Sequence, residues 1–98
     1  MRRDDVIAKL RAHESELKAA GIMHLRLHGS LARGQATEDS DVDLIAEFDT
    51  SKQLSIFEMV GLENRLADLL GIAVDLSPAD MLKEPVREKA AREAVIAF

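Results

Sequence analysis

An α/β fold, a small mixed three-stranded sheet backed by helices, is predicted by three features of this sequence. Three short segments alternate apolar and polar residues at the period of a strand. Two longer segments repeat apolar residues at helical spacing. Gly21 and Gly71 stand where a helical pattern hands over to a strand pattern. The order that results is helix, strand, turn, strand, helix, strand, helix. With 98 residues the chain is read as one domain over 1–98, enough for a single core but not for a catalytic and a separate substrate domain.

The first helix is expected from about Asp4 to Ala20. Val6, Ile7, Leu10 and Leu17 recur on one side, Arg11, Glu14, Glu16 and Lys18 form a charged face, and Asp4 or Asp5 is the candidate cap. The lone His13 on this helix has no matched ligand and is read as inert. Ile22 to His28 sets Met23, Leu25 and Leu27 against His24, Arg26 and His28, a strand buried on one face. It runs into Gly29-Ser30, where a turn or short helix is expected to begin. Asp41 to Phe48 forms the second strand, with Val42, Leu44, Ala46 and Phe48 on one face and Asp41, Asp43, Ile45 and Glu47 on the other.

Thr50-Ser51-Lys52-Gln53 reads as a capping box for the main core helix, which continues through Phe57, Val60, Leu66, Leu69 and Leu70. The third strand is Ile72 to Ser77, pointing Ile72, Val74 and Leu76 one way and Ala73, Asp75 and Ser77 the other. Ser77-Pro78-Ala79-Asp80 suggests a short capped turn. Pro85 then starts a last helix through Val86, Ala90, Ala94 and Val95.

Composition narrows the function. Hydrophobic residues at 47% and charged residues at 32% describe a chain that folds. A formal net charge of -5 argues against a broad basic surface for nucleic-acid phosphates. The absence of cysteine excludes disulfides and thiolate metal sites, and no apolar run is long enough to span a membrane or to read as a signal peptide, so a cytoplasmic location is expected.

The chemistry is concentrated in Gly29-Ser30 and in Asp41-Val42-Asp43. Two residues apart in a strand, the aspartates are separated by about 6.5 to 7 Å at the backbone, close enough to converge on one divalent ion. Asp75 on a neighbouring strand is the candidate third acid. Crowded carboxylates repel one another, and Mg²⁺ is the cation that neutralises such a set. Two such ions about 3.5 to 4 Å apart activate an attacking hydroxyl and stabilise a pyrophosphate leaving group. Glycine lets a phosphate approach the backbone at Gly29, the Ser30 hydroxyl offers a donor, and Arg33 is a further candidate phosphate contact. Each signal alone is weak: Gly-Ser pairs are common turns, and acids at strand ends are commonly just solvated. Their joint order gives the pattern its meaning.

Gly29-Ser30-Leu31-Ala32-Arg33-Gly34 through Ser40-Asp41-Val42-Asp43-Leu44, with Asp75 later, resembles the minimal nucleotidyltransferase family of the DNA polymerase β-like superfamily. The resemblance covers the whole chain and implies the nucleotidyltransferase fold. It implies Mg²⁺-dependent transfer of AMP from ATP to a hydroxyl, and the role of antitoxin to an all-helical HEPN toxin, a ribonuclease modified on a tyrosine. By the same resemblance Gly29 and Ser30 hold the triphosphate, Asp41 and Asp43 bind both metals, and Asp75 is the third metal ligand and base; Arg33 contacts phosphate. His28 stands where the family frequently has an aromatic residue. Two other readings stay open: an antitoxin that neutralises its partner by complex formation alone, and a subunit of a small-molecule nucleotidyltransferase.

Overall fold

A computed structural model describes residues 2–35 and 41–98. Helices α1 (Arg3–Ala12) and α2 (Glu14–Ala19) lead into β1 (Ile22–His28), followed by the one-turn helix α3 (Gly29–Ala32) and β2 (Val42–Phe48). A 3-10 turn (Thr50–Lys52) precedes α4 (Ile56–Leu70), which returns to β3 (Val74–Pro78). A second 3-10 turn (Ala79–Met81), α5 (Glu84–Glu93) and β4 (Val95–Ile96) complete the chain. The sheet order is β3-β2-β1-β4, with β1 antiparallel to β2 and β4 and β2 parallel to β3. The sheet is therefore mixed, as expected, and has four strands among the described residues where three were expected.

The two faces of the sheet do different work. Leu25 and Leu27 of β1 pair with Ala46 and Leu44 of β2, and Leu44 with Leu76 of β3, so these residues share one face. Val6, Leu10, Leu17, Leu62, Leu66 and Leu70 from α1, α2 and α4 complete that core. The opposite face carries His28, Asp43 and Asp75 at one end and Arg26 and Ile45 further along. Ile45 is buried outside the main core cluster, as is Ala90 of α5. Only part of this second face is sealed.

Several expectations are corrected. The first helix is broken at His13, which caps the end of α1 and the start of α2, and neither Asp4 nor Asp5 is its cap. Both aspartates lie in the first turn, where they favour the helix through its dipole. Between Ile22 and His24 the register with β2 shifts, so Met23 is turned out and 41% exposed although alternation grouped it with Leu25 and Leu27. The capping box of α4 is formed by Ser55 and Glu58, with each side chain bonding the other's backbone N–H, and Thr50–Lys52 is a separate 3-10 turn. Phe57 and Val60, read as core residues of that helix, are exposed at 89% and 49%; the buried stripe is Leu62, Leu66 and Leu70. The third strand begins at Val74, two residues later than expected, and runs through Pro78, its last residue. The last helix stops at Glu93, and Val95 pairs with Leu27 as an edge strand, because β-branched Val95 and Ile96 suit a pleated half-buried surface.

Leu66→Ala is expected to cost about 3 kcal/mol, since its side chain is fully buried and leaves a cavity. Phe57→Ala should change stability by less than about 0.5 kcal/mol. Urea denaturation of the two variants checks both values.

Candidate active site

The register of the sheet gathers the candidate residues. Asp43 lies opposite Asp75 in the parallel pair and opposite His28 in the antiparallel pair, so a His28-Asp43-Asp75 row crosses three strands. Neighbouring strands are about 4.8 Å apart, which puts both carboxylates within strong mutual influence. Asp41, exposed, precedes β2 by one residue and lies two residues from Asp43. Ser40, part of the motif read from sequence, lies outside the described residues.

Gly29 follows His28 directly and opens α3 with φ +79. A Cβ at this position would run into the Asp43 carboxylate. The residue must be glycine for two reasons: its backbone is left-handed and its α-carbon forms the floor against which Asp43 rests. Ser30, half-buried, sits in the same turn. Arg33 lies just beyond α3, but its guanidinium is engaged. Its Nη1 donates to Glu93 Oε2 at 3.2 Å and its Nε to Gln35 Oε1 at 3.2 Å. Glu93, at the end of α5, is 60 residues away in sequence and was not singled out from it; no local pattern signals so distant a pairing. The contribution of His28 was likewise missed, although alternation already placed it on the polar face. Its buried Nε2 has no hydrogen-bond partner among the described residues.

The electrostatics follow from this packing. Desolvation raises the Asp43 pKa above its ordinary value, and the Asp75 charge raises it further; His28 lowers it, Asp41 raises it and Arg33 lowers it. The carboxylates are abreast, yet among the described residues no three His, Cys, Asp or Glu side chains are already gathered into a metal-binding cluster. An all-oxygen donor set still fits a hard divalent cation, and a cation beside Asp43 would offset the repulsion that now opposes its ionisation. No helix among the described residues is long and apolar enough to cross a membrane.

Comparison with known proteins bears on the family and the fold. A family model described as a nucleotidyltransferase domain matches residues 10–97. The protein adenylyltransferase MntA of Thermococcus cleftensis is 36% identical over 93 residues, covering 94% of this chain and 92% of the relative. A solved structure described as a minimal nucleotidyltransferase superposes with a TM-score of 0.81 at 34% identity, covering 97% of this chain and 95% of that one. A chain from a toxin-antitoxin crystal structure with AMP-PNP shares the fold with a TM-score of 0.71 at 20% identity, covering all of this chain and 73% of its own length.

A carboxyl whose folded pKa is raised contributes most to stability below the unfolded value, near 3.8 for Asp43, and that contribution is lost as pH rises through the folded value. Asp43→Asn removes the loss. The variant is expected to melt above the parent chain at neutral pH, with the difference closing as pH falls below 3.8, as followed by thermal denaturation across pH. Gly29→Ala and Gly34→Ala both replace glycines at positive φ, but a Cβ at Gly34 meets nothing within 4 Å among the described residues. Gly34→Ala should therefore cost only the left-handed penalty of about 1–2 kcal/mol, and Gly29→Ala clearly more, measured by urea denaturation.

Proposed function

We propose, on the premise that this chain belongs to the nucleotidyltransferase domain family and is a nucleotidyltransferase, that it transfers AMP from ATP to a tyrosine hydroxyl of a HEPN-family toxin and thereby acts as its antitoxin. The observation that carries this reading is the placement of Asp43 beside Asp75 with Gly29 directly against the Asp43 carboxylate. The name of the Thermococcus relative and the fold shared with a toxin-antitoxin chain support the chemistry and the partner class. We place the reaction in the cytoplasm, where ATP is available and a cysteine-free chain is at home.

Gly29 and Ser30 hold the triphosphate, glycine by allowing close backbone approach and serine through its hydroxyl. Asp41, Asp43 and Asp75 hold Mg²⁺, which when bound would neutralise the carboxylates and draw charge from the phosphoryl oxygens. Asp75 lies on the edge strand, exposed, where an incoming hydroxyl can reach it. The acceptor oxygen forms a bond to the α-phosphorus as the bond between that phosphorus and the bridging oxygen breaks. Pyrophosphate leaves, and Asp75 accepts the hydroxyl proton. Arg33 turns toward the phosphates only by giving up Glu93, an exchange of one anionic partner for another.

The test combines the purified chain, ATP, Mg²⁺ and the product of the neighbouring gene, followed by intact mass spectrometry of that product. An adenylyl-sized increment is expected with the parent chain. Asp41→Asn, Asp43→Asn and Asp75→Asn should each slow its appearance by about a hundredfold or more while the complex survives. Undiminished transfer by Asp75→Asn removes that residue from the site. Protection of cells by all three variants without any added mass returns the chain to a purely binding antitoxin.

A further inference from the structure

The acid row accounts for one end of the sheet, but exposed apolar side chains gather at the other. At the start of α4, Ile56 and Phe57 are 77% and 89% exposed, and Met81 in the 3-10 turn before α5 is 75% exposed. Two concavities of about 600 and 120 Å³ open here, the larger lined by Met81 and the smaller by Ile56, and both by Phe48, Met59 and Pro78. The patch is thus continuous around the end of β3. Apolar surface of this extent, hollowed and unsealed, is characteristic of a surface that another protein covers.

We infer that this face, from Ile56 around Pro78 to Met81, is the docking surface for a partner protein that is apolar at the centre of contact and basic at its rim. The inference rests on the reading that a partner protein brings the acceptor hydroxyl.

Charge selects the occupant. The two concavities are bordered by four carboxylates, Glu47, Asp49, Asp80 and Glu63, and by two arginines, Arg26 and Arg87. Each arginine already faces a carboxylate: Arg26 lies 3.7 Å from Glu47 and Arg87 3.8 Å from Glu84. The rim is therefore net acidic, as is the chain at -5. A second copy seated by two-fold symmetry would set this acidic rim against itself, whereas lysines or arginines of a different protein would complement it. The edge of β3 also disfavours one mode of binding beside the patch. Its Leu76 N–H donates to Glu63 Oε2 at 2.9 Å, so the edge offers no free donor there for an added strand. The partner docks through side chains. Pro78 in the patch and Asp75 in the acid row are three residues apart on β3, about 10 Å, so a protein seated on the patch stands within a short loop's reach of the site.

The test pairs Ile56→Ser with Met81→Ser in one variant, both exposed positions outside the core and the acid site, with folding confirmed by urea denaturation. Binding to the product of the neighbouring gene is measured from low to high salt, alongside adenylyl transfer by mass and self-association by analytical ultracentrifugation. The double variant should bind that product about tenfold or more weakly, while Asp43→Asn binds like the parent. Asp80→Lys should also weaken binding, and the parent complex should loosen as salt rises. Parent-like binding and transfer by the double variant would overturn the docking surface and leave the proposed function standing. A parent chain that dimerises alone, with the double variant monomeric, would assign the face to a second copy and overturn the inference as well. If the parent neither binds nor modifies the neighbouring product, the partner reading itself fails and the docking inference falls with it.

Discussion

The parallel pairing of β2 with β3 is the constraint on which the rest of the molecule depends. Its register sets Val42 beside Val74 and Leu44 beside Leu76 on the core face, and the same register sets Asp43 beside Asp75 on the other. The Val42 N–H donates to Ala73 O at 2.9 Å where the pairing begins. Slipping either strand by one residue would drive an aspartate into the core and turn a valine or leucine out to water. Packing of four aliphatic side chains, Val42 and Leu44 buried and Val74 and Leu76 partly so, therefore holds two carboxylates abreast, a position their mutual repulsion alone would not favour. Hydrophobic packing on one face is what positions the chemistry on the other.

That division explains where the structure is rigid in its requirements and where it is permissive. The core face tolerates no polar side chain, and none among the described residues is buried there. The acid face tolerates groups that would be costly elsewhere: a carboxyl pushed up by desolvation and by Asp75, a histidine nitrogen without a partner among the described residues, and a glycine in left-handed backbone pressed against Asp43. These features lie within one end of one sheet, the end where β1 stops and β2 starts. Strained or unsatisfied groups gathered in this way fit a site that a ligand completes rather than a site selected for stability. The Arg33 to Glu93 pair fits the same picture. It ties the end of α5 to the turn beyond Gly29, and it keeps a cation close enough to lower the Asp43 pKa.

Much of this was legible in the sequence because it depends on period and punctuation. Alternation located β1 and β2 almost to the residue and placed His28, Asp43 and Asp75 on polar faces; glycine at 21 and 71 marked both helix-to-strand crossings. What could not be read were features decided by contacts distant in the chain. The bulge at Met23 reflects how many residues of β1 must span those of β2. Val95 leaves the helix because Leu27 is there to pair with it. Phe57 looks like core by composition, and only the rotation of α4, set by Leu62, Leu66 and Leu70, turns it outward. At the site, spacing gave the acids and the glycine, but the order of strands in the sheet made Asp75 a neighbour of Asp43, and the hold of Glu93 on Arg33 needed the whole fold.

An open acid face also bears on how transfer to a protein could be selective. Asp75 lies exposed on an edge strand, so in the chain alone water has the same access to a bound nucleotide as any hydroxyl. Effective transfer requires that the acceptor be held in place and that water be displaced from around it. Helices α1, α2 and α4 pack on the core face, whereas on the other face Ile45 is buried outside that core among the described residues. On the proposed reading, the protein that supplies the hydroxyl must therefore also supply the missing wall. Docking and catalysis are then coupled: a partner seated at the Pro78 end of β3 completes at the Asp75 end a pocket that this chain does not hold alone, and a hydroxyl that arrives without that wall competes on equal terms with water.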